Sequence, residues 1–399
     1  MSFLTKAAAA CAASVFVLSW QLAAQSKKEL NTSFKNGIQF ATADTSFSLT
    51  LRFRVQNRVG YASSSESDFA PKEFDFRVRR MRLRLDGFVL DPRLLYQVQL
   101  SFSRADQDWD VSNVPNVLRD AMIWYQTEHG FSVGIGQGKL PGNRQRAISS
   151  GEQQFADRSI VNNALTLDRD VGLFANYSSD NERFAFRIKT AITAGEGRNA
   201  LPSNKGLAYT GRLELLPLGT FSERNDYSEG DLLHEPRPKL SVAVTGHFNG
   251  HAMRTGGELG PLLYESRNLS SFIADLLFKY KGWAFSSEYL MRQNDNPKTY
   301  DANNNLRYVY AGQGLNTQLS YCTAKMWEVA LRHSYLTPQR ELEDVELQKT
   351  QYGICVSKYL NKHKVKVQTD FTYEHLQNPS TGAGAGGNFQ WRFQVELGI

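Results

Sequence analysis

Hydrophobic and polar side chains alternate with a period of two along much of this chain. Between residues 49 and 59, leucine, phenylalanine and valine occupy mainly odd positions, and threonine, glutamine and arginine occupy even positions. The same alternation recurs at 81–86, 96–103 and 388–399. Because successive side chains of a strand point to opposite faces, each segment predicts a strand with one apolar and one polar face.

Sixteen segments of this kind occur along the chain, each close to the roughly ten residues that a tilted membrane strand needs. They lie near 47–59, 74–89, 94–104, 118–127, 130–139, 170–178, 183–194, 206–217, 239–248, 271–280, 282–292, 314–323, 326–336, 350–358, 363–373 and 388–399. An even number of antiparallel strands closes a bacterial barrel with both chain ends on one side of the membrane. The pattern therefore predicts an all-β protein that forms a transmembrane antiparallel β-barrel of about 16 strands.

The lengths of the connections between these segments agree with a membrane barrel. Connections after odd-numbered segments are mostly long, as at 60–73, 140–169 and 249–270, whereas those after even-numbered segments are mostly tight, as at 179–181. Short periplasmic turns that alternate with longer extracellular loops are typical of membrane barrels. The connection 218–238 does not follow this rule.

The N-terminus has the order of a secretory signal. Lys6 precedes an apolar stretch over 7–22, and the small residues Ala23 and Ala24 follow. We expect a signal peptide over 1–24 and one barrel domain over 25–399, located in the outer membrane of a Gram-negative bacterium and surrounded by its lipid. Beyond the N-terminus, no run of about 18 apolar residues predicts a membrane-spanning helix.

The formal net charge of +6 is a mild cationic excess. Such an excess suits nucleic acid, an acidic surface or an anionic solute, and export argues against nucleic acid. Two cysteines remain after the signal, Cys322 and Cys355, on strands that are separated by a third strand. A spacing of roughly 10 Å is too wide for a disulfide.

A run of arginines between residues 77 and 84 is the densest chemical feature of the sequence. Apolar residues occupy even positions before Arg79 and odd positions from Met81 onward, so the alternation slips by one residue. A β-bulge at Arg79-Arg80 would turn all these arginines to one face, and the lumen is favoured because arginine facing lipid is costly. With the preceding strand, the predicted wall contains Arg52, Arg54, Arg58, Arg77, Arg79, Arg80, Arg82 and Arg84.

Two interpretations of this wall remain open at the level of sequence. Rings of arginine or lysine that line a pore favour anions. Alternatively, the arginines are structural and are neutralised by acidic side chains of the barrel interior, for which the candidates are Asp86, Asp120, Glu214 and Asp370.

The long connection 140–169 follows the fifth segment and is the third of the long loops. A loop at this place can fold into a large barrel and narrow the channel, or it can remain a solvated outer loop. It follows Lys139 and contains four arginines: Arg144, Arg146, Arg158 and Arg169. The acids Glu152, Asp157 and Asp168 accompany them.

Part of the chain resembles the phosphate-selective porin O and P family of Gram-negative outer membranes. The similarity comprises Arg79-Arg80 with the rest of that strand, the segment 93–101, Asp120-Ala121, and 136–139 with Ser149-Ser150. The resemblance implies a trimeric porin of sixteen strands with a cationic channel for phosphate or related anions. By position it places Arg79, Arg80 and Lys139 at the constriction with Asp120 nearby. Met81-Arg82 and the terminal Ile399 depart from the family pattern, which puts strict phosphate selectivity in doubt.

The sequence thus predicts a passive diffusion porin with a preference for anions such as phosphate, in which Arg79, Arg80 and Lys139 attract the solute. Phosphate-loop and metal-ligand motifs fail on spacing, so we expect no cofactor, no metal and no enzymatic activity. Two rival hypotheses are a non-conducting barrel that serves as scaffold for a surface or secretion assembly, and a barrel enzyme. Conductance would distinguish the scaffold, and a Ser–His pair at one rim would indicate the enzyme.

Overall fold

The computed structural model describes residues 30–34, 36–107, 116–200 and 206–399. The expected signal peptide, 1–24, lies outside these residues. One antiparallel sheet of eighteen strands is present, and sixteen of these strands form the wall of the barrel. They are β1 (Phe47–Ser63), β2 (Pro71–Val89), β3 (Asp91–Ser101), β4 (Leu118–Gln126), β5 (Phe131–Lys139), β6 (Arg169–Ser179), β7 (Ala185–Thr193), β8 (Ala208–Leu216), β9 (Lys239–Arg254), β10 (Leu262–Tyr280), β11 (Trp283–Gln293), β12 (Gly312–Cys322), β13 (Trp327–Pro338), β14 (Gln348–Asn361), β15 (Val365–Gln377) and β16 (Gly384–Gly398).

The sheet closes into a barrel because β16 pairs with β1. Gln390 lies opposite Ala62, and Gly398 lies opposite Arg54. Two short strands, Leu30–Ser33 and Ile38–Thr42, continue the sheet beside the start of β1, where β16 has ended. The predicted sixteen-stranded antiparallel barrel is therefore confirmed.

Each predicted segment corresponds to one strand, and the largest differences occur in β9 and β10. The alternation predicts these two strands over 239–248 and 271–280, whereas they extend to Arg254 and begin at Leu262. Register shifts after Asn249 disturb the pairing of their outer halves. A bulge interrupts the period of two, so the alternation predicts an end of β9 that is too early and a start of β10 that is too late.

The expected bulge in β2 is present at Arg79. Gln56 of β1 pairs with Arg80, and the next residue, Asn57, pairs with Val78, so that Arg79 has no partner on β1. On the N-terminal side of the bulge, Phe74 and Phe76 are exposed on the outer face. Arg80 on its C-terminal side is buried inside. The extra residue thus keeps the apolar side chains outside on both sides of the slip.

The end of the barrel that carries the tight connections is called here the turn end, and the opposite end is called the loop end. The connection 140–168 belongs to the loop end and contains two short helices, α1 (Arg144–Ala147) and α2 (Ile160–Leu165). The small hairpin formed by Lys298–Tyr300 and Leu306–Tyr308 also lies in a loop-end connection. Among the residues described, no helix is both long and apolar enough to span a bilayer.

The segment 140–168, called here the loop-end insert, packs against the inner wall. Val161 and Leu165 of α2 are buried in one cluster with Ile273 of β10, Leu290 of β11 and Leu336 of β13. These strand residues alternate with exposed apolar neighbours such as Phe272 and therefore point into the lumen. The main apolar core thus lies inside the barrel, between this insert and β10–β13.

Candidate functional site

Buried polar contacts tether the loop-end insert to one side of the lumen. The guanidinium of Arg144 donates from Nε to Asp275 Oδ1 at 2.9 Å, and Asn143 Nδ2 donates to Glu288 Oε2 at 3.1 Å. Gln154 Nε2 donates to Glu328 Oε1 at 2.8 Å. These acids belong to β10, β11 and β13, so the insert fills the side of the barrel that lies opposite the arginine wall.

A cavity of about 670 Å³ remains between the insert and the wall formed by β1–β5. Twelve cationic and five acidic side chains line it, which leaves a formal excess of seven positive charges. The cations are Arg52, Arg54, Arg79, Arg80, Arg82, Arg84, Arg119, Lys139, Arg146, Arg158, Arg169 and Arg198. The acids are Asp106, Asp120, Glu152, Asp157 and Asp168.

Asp157 joins the loop-end insert to the arginine wall. Its carboxylate lies 3.0 Å from Arg79, 3.3 Å from Arg392 and 3.8 Å from Arg80, and it also pairs with Arg58. Burial by itself would raise the pKa of Asp157, but the surrounding guanidinium groups, led by Arg79 and Arg392, hold it below its ordinary value. The carboxylate therefore stays ionised and cancels part of the charge of the wall.

A second carboxylate from a connecting segment, Asp106, pairs with the wall further along β2. Its Oδ2 accepts from Arg82 Nη2 at 2.5 Å, and Oδ1 lies 3.3 Å from Arg119. Burial opposes ionisation of Asp106, but Arg82 and Arg119 lower its pKa well below the ordinary value. Asp106 thus also reduces the net positive charge of the cavity.

The four acids that the sequence offers as neutralising partners are distributed unevenly. Asp86 pairs with Arg52 and Arg84 of the predicted wall. Asp120 and Asp370 bind arginines outside that wall, and Glu214 pairs with cations on β7 and β8, away from the cavity. Two further strand acids also pair with the wall, Asp75 with Arg58 and Arg77 and Glu396 with Arg54. Neutralisation of the wall is therefore shared between strand acids and the two acids from connections, Asp106 and Asp157.

Lys139 and Arg158 are held by main-chain oxygens rather than by carboxylates. Lys139 Nζ donates to the carbonyl oxygens of Arg146 and Ala147, both at 3.0 Å. Arg158 donates from Nε to Gln145 O at 2.9 Å and from Nη2 to Ile148 O at 3.1 Å. A carbonyl satisfies the hydrogen bonds of a cation without cancelling its charge, so these contacts do not reduce the positive charge of the cavity.

Nine of the twelve site residues named from the sequence lie in the cavity wall. They are Arg52, Arg54, Arg79, Arg80, Arg82, Arg84, Asp120, Lys139 and Arg146. Arg58 is buried behind the wall with Asp75 and Asp157, Arg77 is exposed and pairs with Asp75, and Arg144 anchors the insert at Asp275.

Sequence reasoning missed three charged residues of the cavity: Arg119, Arg198 and Asp106. A register shift between Gln99 and Leu100 of β3 leaves Arg119 as an extra residue of β4, so that it turns inward beside Asp120. The charged pair Arg119-Asp120 within an otherwise alternating strand was the available signal. Asp106 and Arg198 belong to connections, where no periodicity shows which way a side chain points.

The closed antiparallel barrel with a cationic cavity in its lumen has the architecture of outer-membrane diffusion channels of the porin class. Residues 49–225 match the model of the family described as phosphate-selective porin O and P, and this match confirms the resemblance seen in the sequence. The matched part spans β1–β8 and the loop-end insert, and therefore most of the cavity. A comparison with curated proteins gives no significant match.

Solved structures of outer-membrane proteins share the fold. OmpT of Vibrio cholerae, in a trimer form, superposes with a TM-score of 0.53 at 9% identity and covers 89% of this chain and 100% of its own. The outer-membrane channel DcaP of Acinetobacter baumannii gives 0.55 at 10% identity, with 91% and 100% covered. OmpF of Salmonella typhi, in complex with daunomycin, gives 0.51 at 12%, with 88% and 98% covered. At such identities the similarity concerns the fold.

Proposed function

We propose that this porin prefers anions and conducts small inorganic anions such as phosphate through the cavity beside β1–β5. The observation that carries the proposal is the excess of seven positive side-chain charges around that cavity. Rings of arginine or lysine select anions in a pore, and low-dielectric walls strengthen the potential of charges that line a cleft. The name of the matching family, phosphate-selective porin O and P, supports the same solute class.

In this proposal the charged residues of the cavity have different roles. Arg79 and Arg80 attract the anion beside the loop-end insert, which sets the bore of the channel. Lys139 and Arg158 provide positive charge that no carboxylate shares, and their remaining N–H groups suit the oxygen atoms of an oxyanion. Asp157 and Asp106 moderate the field so that an anion can leave as well as enter, since conduction requires weak binding.

A planar-bilayer recording of the purified protein tests this function. Under a potassium chloride gradient, we expect a reversal potential displaced towards the chloride equilibrium potential, and added phosphate should reduce the chloride current by competing for the same cations. A reversal potential of the opposite sign would show a cation-preferring channel. A chloride-selective current that phosphate leaves unchanged would remove phosphate from the proposal while retaining the anion preference.

Three further parts of the proposal concern export and assembly. We expect removal of residues 1–24 during export, insertion into outer-membrane lipid, and a homotrimer. The trimer is supported by the family resemblance and by the trimer form of OmpT, whose fold is similar. Light scattering in several detergents measures the assembly, and a monomer in all of them would contradict it.

The second candidate function is a non-conducting scaffold barrel. It is favoured by the amount of polypeptide that fills the lumen opposite the arginine wall. The same bilayer experiment separates the two functions, because a scaffold with a filled lumen inserts without producing current steps.

A further inference from the structure

The connection between β8 and β9, which the loop-length rule does not explain, folds back into the barrel. Residues 217–238, called here the turn-end insert, begin at the turn end and include a short helical segment, Ser222–Tyr227. Their polar residues Asp226, Asp231 and Glu235 are fully buried, although they belong to a connection. The lumen therefore contains a second insert that enters from the end opposite to the loop-end insert.

A lysine of the barrel wall holds the turn-end insert in place. Lys279 of β10 is fully buried, and its ammonium group donates to the carbonyl oxygens of Asn225 at 2.6 Å, Ser228 at 3.0 Å and Gly230 at 2.6 Å. Arg187 of β7 pairs with Asp226. These bonds fix the middle of the insert on the inner wall of β7–β10.

The two inserts meet inside the barrel at Glu229. The main-chain N–H of Glu229 donates to Glu152 O at 3.0 Å. Its carboxylate accepts from the main-chain N–H of Gln154 at 2.7 Å and from Gln145 Nε2 at 3.2 Å. Glu229 is 5% exposed and Gln154 is 2% exposed, so water does not replace these bonds readily.

The part of the loop-end insert that Glu229 holds is close to the part that faces the cavity. Gln154 is three residues before Asp157 and four before Arg158, and the carbonyl of Gln145 accepts from Arg158 Nε at 2.9 Å. A shift of this stretch would displace both charged groups from the arginine wall.

From these contacts we propose that the turn-end insert is a latch, which holds the loop-end insert against the far wall and thereby keeps the channel narrow. Glu229 is the positioning residue of this latch. The inference rests on the protein being a channel, and it does not depend on which ions the channel prefers. Selectivity is measured as a reversal potential, whereas the latch is measured as conductance and current noise, so the two proposals fail separately.

The variant Glu229→Ala tests the latch in single-channel recordings. It removes the acceptor of three hydrogen bonds, from Gln154 N–H, Gln145 Nε2 and Gln318 Nε2. The buried N–H of Gln154 is left unsatisfied, which weakens the docking of the loop-end insert. We expect larger open-channel noise and a gain in conductance on the order of twofold, because the released insert opens a second path through the lumen. Unchanged noise and conductance would overturn the proposal.

Glu223→Ala is the matched control. Glu223 belongs to the same insert, but its side chain is 72% exposed and pairs only loosely, at 3.5 Å, with Lys362 at the turn end. This variant should record like the wild type. A change equal to that of Glu229→Ala would show that any acid of the insert has this effect and would contradict the role of Glu229.

A double variant, Glu152→Cys with Glu229→Cys, provides a second test that does not depend on the stability of Glu229→Ala. The main chains at these positions are joined by the 3.0 Å hydrogen bond, so the two introduced thiols belong to residues that lie next to each other. In the oxidised protein, noise and conductance should stay low, and a reductant should raise both in the same channel. Identical recordings before and after reduction of a confirmed disulfide would contradict the latch.

Discussion

At the scale of single residues, the charge of the cavity is set by which cations share a carboxylate and which do not. Asp157 contacts several arginines, whereas Lys139 and Arg158 are bound by carbonyl oxygens. Several guanidinium groups close together repel one another, and a single buried carboxylate among them relieves that repulsion. Breaking such a buried arrangement by removing one partner is costly, on the order of 3–5 kcal/mol.

The double variant Arg79→Gln with Arg80→Gln measures the contribution of the arginine pair to selectivity. Both side chains line the cavity, and glutamine keeps a polar group that suits a wet lumen. We expect the reversal potential to move towards zero and block by phosphate to weaken, since two charges leave a narrow and poorly screened site. The control exchanges Arg93 and Arg183, which are exposed at the turn end. A wild-type reversal potential in the first variant would show that the pair is structural.

Replacement of Asp157 by asparagine should have the opposite effect on selectivity. It removes one of five acids from the cavity wall and leaves Arg58, Arg79 and Arg392 without their shared partner. We expect a stronger anion preference together with a less stable barrel, read as a lower temperature of unfolding in detergent. Asp344→Asn, at a side chain that is 65% exposed at the loop end, is the control. A weaker anion preference in Asp157→Asn would contradict this charge balance.

The pH dependence of this carboxylate follows from the direction of its shift. The pKa of Asp157 is lowered in the folded protein, so its stabilisation is fully present above the unfolded value of about 3.9 and is lost only as the pH falls through the folded pKa. Selectivity that depends on Asp157 should therefore be constant between about pH 7 and pH 5. A reversal potential that changes with pH in the wild type but not in Asp157→Asn over this range would contradict the lowered pKa.

At the scale of elements, bulges decide which charged residues face the lumen. Arg79 in β2 and Arg119 in β4 are both extra residues relative to a neighbouring strand, and both bring an additional guanidinium into the cavity wall. A regular strand can present only every second residue to the lumen. The bulges therefore raise the density of positive charge above what alternation alone allows.

Deletion of Arg79 tests the bulge directly. Without it, Val78 and Arg80 become consecutive and pair with Asn57 and Gln56 as they do now, so the apolar face stays outside. We expect the deleted protein to fold, measured as heat-modifiable migration after refolding in detergent. The control is deletion of Leu83, which removes a paired residue and therefore shifts the strand register or turns arginines towards lipid. Each arginine that faces lipid at the bilayer midplane costs about 2–4 kcal/mol of stability. Equal refolding yields for the two deletions would contradict the role assigned to Arg79.

The strands and the orientation of their faces could be predicted from the sequence. One face of each strand meets lipid and the other meets the lumen, and apolar and polar residues therefore alternate along every strand. The bulge at Arg79 followed as well, since it appears as a slip in that period. The contacts of Asp106, Asp157 and Glu229 did not follow, because they lie in connections whose side-chain directions are set by tertiary packing. The length of 218–238 was the one visible sign of the turn-end insert, and length does not reveal where a segment folds.

At the scale of the whole molecule, positive charge is concentrated in the pore rather than spread over the surface. The chain carries a formal net charge of +6, and the side chains around the cavity alone contribute an excess of seven. The remaining residues are therefore close to neutral in sum. Such a distribution acts on a solute inside the channel and gives the outer surface little general affinity for polyanions.

The orientation of the barrel is the last prediction, because the latch and the loop-end insert act from opposite sides of the membrane. With the turn end in the periplasm, as in other bacterial barrels, single cysteines at Ser67 and Asp344 should react in intact cells with a reagent that does not cross the membrane. Both residues are exposed in loop-end connections. Cysteines at Leu90 and Lys362, exposed at the turn end, should react only after the cells are opened.

The native thiols do not interfere with this labelling, since Cys322 and Cys355 are free but buried. The cells carrying the unmodified protein therefore provide the background. The opposite result would be labelling of Leu90→Cys and Lys362→Cys in intact cells, with protection of Ser67→Cys and Asp344→Cys. It would show that the barrel has the opposite orientation in the membrane. The turn-end insert would then enter from outside the cell, and solutes would meet the latch before the arginine wall.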